Sequence, residues 1–157
     1  RADTLDLLPF PNFLAWTDAL DAGDLVAVLE HGVSAVEDAD GRFLQVSGVR
    51  FTYEPSAAPG ERVQAVRLGD GTVIFDRAAG GLQPAAADVE LAVVTNSFTA
   101  AGGDGFERLA DAPFADLGST YEQPLVGYIE DALNGRITAE AYPAGGEGRI
   151  RVTGAGG

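Results

Sequence analysis

The chain has no cysteine, no methionine and no lysine, and it has a single histidine, His31, in 157 residues. Without thiols it forms neither disulfides nor thiolate metal sites, which fits any redox compartment. One histidine is too few for the usual transition-metal or imidazole-based catalytic centre. Positive charge is scarce as well: ten arginines oppose 24 acidic side chains, for a net charge of −14. So acidic a surface repels nucleic-acid polymers and anionic lipid, which need a basic footprint, whereas a single nucleotide needs only a few local groups. No apolar run reaches the ~20 residues of a membrane span. The opening Arg1-Ala2-Asp3-Thr4 lacks the basic-then-apolar pattern of a signal peptide. Residue 1 is not Met, and the expectation is a piece of something longer.

What is present reads as globular. Hydrophobic residues make up 46% and charged residues 22%, enough apolar content for one domain with its own core. Residues 1–153 are read as that single domain and the glycine-rich 154–157 as a flexible tail. Apolar residues at Leu25, Val28, Leu29, Val33 and Val36 recur at helical spacing and predict a helix over 24–36, capped by Asp21 or Asp24. Pro124 sits in the first turn of a second predicted helix, 121–133. Strands are expected at 13–18, at 42–53 with a bulge around 45–48, at 62–68 and 72–75 joined by Asp70-Gly71, and at 149–152. The nearly continuous apolar run 89–95 predicts a central strand buried on both faces. Segments 54–61, 76–88 and 112–120 read as loops or irregular chain. The sum is α+β: one mixed sheet covered by the two helices.

The run Asn96-Ser97-Phe98-Thr99-Ala100-Ala101-Gly102-Gly103-Asp104-Gly105-Phe106 leaves that central strand. Its glycines allow a ligand close to the backbone. Asp104 offers two acceptor oxygens, suited to a pair of neighbouring hydroxyls, and Phe98 offers a flat face for stacking. A flat ring carrying a cis-diol is a nucleoside. Each residue also has a plainer reading. Phe98 can be core, Phe10 between Pro9 and Pro11 can stiffen a turn, Asn12 can be a turn residue, and Asp104 can cap a short helix starting near Phe106. Three glycines around Asp104 exceed what a cap requires. His31 reads as a surface or half-buried helix residue rather than a ligand. Arg42 and Arg50 read as surface residues, with a phosphate contact as the alternative. The paired carboxylates, Glu37-Asp38 among them, read as solvated faces.

The same residues resemble a known family. Asn96-x-Phe98 followed by Gly102-Gly103-Asp104-Gly105-Phe106 is similar to the signature of the C-terminal domain of the 5'-nucleotidases and UDP-sugar hydrolases. Leu8-Pro9-Phe10-Pro11-Asn12 resembles the family's Pro-Phe-Gly-Asn segment, with Pro11 in place of glycine. Gly41-Arg42-Phe43-Leu44-Gln45-Val46-Ser47-Gly48-Val49-Arg50-Phe51 resembles its middle strand. The three motifs stand in the family's order, from about Thr4 to Leu133.

The resemblance implies that Phe10 and Phe98 sandwich a nucleobase, that Asn12 touches its edge, and that Asp104 receives the ribose hydroxyls beside Gly102 and Gly103. It implies no catalytic residue and no metal in this chain. Hydrolysis would belong to an N-terminal metallophosphoesterase domain holding two divalent metals. The parent would be a periplasmic or secreted phosphohydrolase. The family's Asn-Gly-Gly-Gly-Ile-Arg opening segment is not in the sequence, so the expectation is most of the domain rather than all of it. Two alternatives stay open: the same fold serving a UDP-sugar, a 2',3'-cyclic nucleotide or a non-nucleotide compound, and a non-catalytic binding or dimerisation module.

Overall fold

The computed structural model describes residues 2–154. A short helix α1, Ala2–Leu7, leads through Pro9-Phe10-Pro11 into strand β1, Phe13–Asp21. The Asp21 carboxylate accepts the Asp24 N–H at 2.7 Å and starts helix α2, Ala22–Gly32. There follow β2 (Val49–Tyr53), β3 (Val63–Leu68), β4 (Val73–Asp76), the two-residue β5 (Gly81–Leu82) and β6 (Glu90–Asn96). Single helical turns α3 (Ser97–Ala100) and α4 (Glu107–Ala110) flank the Gly-Gly-Asp-Gly loop. The chain ends with β7 (Ala115–Thr120), α5 (Glu122–Gly127) and β8 (Ile150–Val152).

The α+β class holds, but the strands form two sheets rather than one. An antiparallel sheet has the order β6-β1-β7, and a five-stranded sheet has the order β5-β4-β3-β2-β8, mixed because β8 runs parallel to β2. Helix α2 bridges them. Leu29 and Val33 enter the larger core with Phe51, Val63, Val66 and Ile74, while Val28 joins Leu20, Phe106 and Leu109 in the smaller one. Glu30, on the same helix, is buried. Its carboxylate accepts the Arg62 and Val63 backbone N–H groups at 3.0 and 2.9 Å and the Arg77 guanidinium at 2.7 Å. A buried carboxylate needs such partners, and here they fix the helix to the first residues of β3. Arg62 is buried too, and it donates to the Val33 carbonyl at 2.7 Å and to both Glu37 oxygens at 2.6 and 2.9 Å. Glu37 is therefore an ion-pair partner and not merely part of a solvated face.

Several boundaries depart from expectation. The strand expected over 42–53 begins only at Val49, because residues 42–48 cross the end of α2. Gly32 lies close under that segment, since a Cβ there would be 3.3 Å from Leu44 Cγ and 3.4 Å from the Arg42 carbonyl oxygen. The expected loop 76–88 contains β5 and two 3-10 turns, and the segment expected to be irregular supplies edge strand β7. The second predicted helix is α5 continued by a π-helical turn, Tyr128–Ala132. Strand β6 is covered on one face only. Val94, paired with Trp16 of β1, is 55% exposed and Trp16 is 37% exposed. Of the expected tail 154–157, only Gly154 falls within the described residues.

Candidate functional site

The antiparallel pairing of β1 with β6 places the entry to one strand beside the exit of the other, with Leu14 opposite Asn96. Two segments about 85 residues apart in sequence therefore meet at one end of the small sheet. Three hydrogen bonds from backbone N–H groups shape the first. The Asn12 N–H donates to the Phe10 carbonyl at 2.8 Å, folding a tight turn over Pro11. The Tyr121 N–H donates to the Asn12 carbonyl at 3.0 Å. The Phe13 N–H donates to the Ser97 hydroxyl at 3.1 Å, which ties the two segments together. Ser97 had no expected role; the β1–β6 register that gives it one is not visible in a sequence.

The second segment is built from Asn96. Its side-chain oxygen accepts the Thr99 N–H at 2.9 Å while its Nδ2 donates to the Thr99 hydroxyl at 3.0 Å, capping α3. That turn lifts Phe98 out of the fold. Gly102 closes it, its N–H donating to the Thr99 carbonyl at 3.0 Å. Gly103 then passes under the Phe98 ring. A Cβ on Gly103 would lie 2.4–2.5 Å from three consecutive ring carbons. Near-equal distances to three neighbouring carbons mean approach to the ring's face, because approach to its edge would bring one much nearer than the others. Glycine at 103 is thus the floor on which one face of Phe98 rests.

Phe10, Asn12, Phe98 and Asp104 line one cleft of about 750 Å³, together with Arg42 and Tyr121. Phe10 is 68% exposed and Phe98 49% exposed, so neither belongs to the core; the core reading of Phe98 falls away, while Phe10 sits in the tight turn over Pro11. Asp104 does not cap: the N-cap of α4 is Phe106, and no side chain caps the helix. Among the described residues nothing hydrogen-bonds the Asp104 carboxylate or the Asn12 side-chain amide. Gly102 and Gly103 support the cleft rather than line it.

Of the two arginines weighed as phosphate contacts, only Arg42 reaches the cleft. Its guanidinium makes a two-pronged contact with Asp40, at 2.9 and 3.2 Å. Asp40 holds Arg42 firmly protonated, with smaller help from Asp104 and Asp38, and Arg42 in turn lowers the Asp40 pKa. Arg50 is exposed on β2, opposite Arg67 of β3. His31, expected to be an ordinary helix residue, reaches the glycine loop and bonds the Asp104 backbone carbonyl at 2.8 Å. Among the described residues no group of three or more His, Cys, Asp or Glu side chains is placed to hold a metal ion. No described helix is long and apolar enough to cross a membrane.

Residues 1–111 match the model of the 5'-nucleotidase C-terminal domain. The trifunctional nucleotide phosphoesterase YfkN of Bacillus subtilis is 33% identical over 153 residues, covering 90% of this chain and 10% of the relative. Bovine 5'-nucleotidase is 30% identical over 129 residues, covering 78% of this chain and 22% of the relative. The crystal structure of a 5'-nucleotidase precursor from Thermus thermophilus superposes with a TM-score of 0.72 at 35% identity, over 95% of this chain and 27% of that one. The chain thus spans between about a tenth and about a quarter of the length of the proteins it matches. On the strength of the matched residues, the shared fold and the ordered motifs, the chain belongs to the 5'-nucleotidase C-terminal domain family.

Proposed function

We propose that this chain is the nucleoside-recognition domain of a metal-dependent phosphohydrolase of the 5'-nucleotidase type, with residues 1–153 acting as one unit. Phe10 and Phe98 stack the base from opposite sides, Asn12 addresses its edge, and Asp104 accepts hydrogen bonds from the ribose hydroxyls. The observation that carries this reading is the pair of exposed phenylalanines in one cleft with a carboxylate and an amide that no described residue hydrogen-bonds. Stacking of a base on an aromatic ring is worth roughly 1–3 kcal/mol and tolerates any base. The amide and the carboxylate add direction: one reads a base edge, the other a diol.

The hydrolytic step belongs to a separate N-terminal metallophosphoesterase domain, whose two divalent metals would polarise the phosphoester and activate the water. This chain contributes orientation, holding the nucleoside so that its phosphate projects towards that domain. The parent acts outside the cytoplasm, in the periplasm or as a secreted enzyme, in keeping with the precursor form named for the Thermus thermophilus relative.

Calorimetric titration of the chain with adenosine, guanosine and uridine tests the reading, with Phe98→Ala and Asp104→Asn alongside. Saturable binding is expected, weakened roughly 5- to 150-fold in Phe98→Ala, as the loss of one stacked ring implies. A folded chain that binds none of the three, or binds them equally well as Phe98→Ala, sinks it. Metal-supplemented chain is expected to release no phosphate from AMP.

A further inference from the structure

Asp104 is held by its backbone. It has φ +55° and ψ +22°, the left-handed region that is uncommon for non-glycine residues and best tolerated by Asn and Asp. It is exposed, and among the described residues its carboxylate has no hydrogen-bond partner. No hydrogen bond from a described residue sets its direction, and Arg42 acts on it through charge alone. What sets it is the peptide that follows. The Asp104 carbonyl is 2.8 Å from Nε2 of His31, in the last turn of α2. A carbonyl only accepts, so Nε2 carries the proton and donates.

The imidazole is itself fixed. Its ring meets Phe106 edge to face, with centroids 4.7 Å apart and planes at 78°, and Phe106 is 3% exposed in the smaller core. Gly105 completes the contact: a Cβ there would lie 3.0 Å from Cε1 and 3.1 Å from Nε2 of His31, and its φ is +85°. The loop closes on itself through the Gly105 N–H to the Gly102 carbonyl at 3.1 Å and the Phe106 N–H to the Gly103 carbonyl at 3.3 Å.

We propose that His31 is a positioning residue for sugar recognition: by holding the Asp104 carbonyl it aims the Asp104 carboxylate at the two hydroxyls of a ribose. The proposal rests on the nucleoside reading above. It makes His31 matter for the sugar ahead of the base, since Phe10 stands on its own turn and Phe98 rests on Gly103, one residue before the carbonyl that His31 holds. Two variants separate the donor from the ring. His31→Phe keeps an aromatic ring beside Phe106 and removes the donor; His31→Gln keeps a donor and removes the ring.

Each is titrated with adenosine and with 2',3'-dideoxyadenosine, and amide exchange at Gly105 and Phe106 is measured after circular dichroism has established folding. In His31→Phe, adenosine affinity is expected to fall roughly tenfold, the scale of one hydrogen bond, with dideoxyadenosine affinity falling clearly less and the loop amides exchanging faster. His31→Gln regains most of the adenosine affinity. Equal losses for both ligands, or no loss for adenosine, overturn the proposal. A wild-type chain that binds neither ligand sinks the nucleoside reading instead. The loop amides then decide: unaltered protection in folded His31→Phe overturns the latch, and faster exchange upholds it.

Discussion

Phe98 and Gly103 form a unit in which a residue without a side chain sets the position of an aromatic ring. The contact dictates what Gly103→Ala does: the added methyl occupies space held by the ring, so Phe98 must leave its seat. The expected outcome is a folded protein whose adenosine affinity falls about as far as that of Phe98→Ala, roughly 5- to 150-fold, read by calorimetry. Glu37 carries a different prediction. The Arg62 guanidinium beside it lowers its pKa from 4.5 to about 2. A carboxylate depressed in the folded state stabilises the fold fully above its unfolded value and loses that contribution as the pH falls through its folded value. The melting-temperature advantage of wild type over Glu37→Gln is therefore present at pH 6 and shrinks as the pH falls from about 4.5 towards 2. A constant gap across that range refutes the assignment. At this scale much of the site was legible in sequence, because Phe10, Asn12, Phe98 and Asp104 all lie in local motifs. His31 and Ser97 were not, because each acts through a partner more than 70 residues away.

Helix α2 is the element on which the arrangement turns. One face fills both cores, its buried Glu30 grips the start of β3, and its last turn reaches the glycine loop. Removing a buried ion-pair partner leaves uncompensated charge and unpaired N–H groups. Glu30→Ala is thus expected to destabilise by about 3–5 kcal/mol in urea unfolding. Glu30→Gln, which keeps one acceptor, costs less. The helix itself was readable, since its apolar residues keep a 3.6-residue period. So was the β3–β4 hairpin, where the Asp70 carboxylate accepts the Thr72 N–H at 2.8 Å and Gly71 adopts φ +95°. Strand β7 was not readable: Ala115-Asp116-Leu117-Gly118-Ser119-Thr120 has little β-propensity and is held by its neighbour β1. The apolar run in β6 gave the strand but not its burial, because such a run reports that both faces tolerate cover, not that both receive it.

For the molecule as a whole, the division into two sheets was the least legible feature. Alternation along a strand tells which side chains share a face, and nothing local tells which strands share a sheet. Net charge, in contrast, is fixed by composition. At −14 the folded chain repels itself, and salt screens that repulsion. Raising sodium chloride from 20 to 300 mM, about a fourfold reduction in Debye length, is expected to raise the melting temperature by a few degrees; a fall shows that attractive pairs such as Arg62–Glu37 dominate instead. Trp16 has a further consequence. It is the sole tryptophan, half-exposed on the middle strand of the small sheet, opposite Val94 on one side and Ala115 on the other, three residues from the Phe13 N–H that joins the two walls of the cleft. The molecule thus carries its own fluorophore on the strand that connects those walls. Its emission, excited apart from the tyrosines, follows strand β1 without any label.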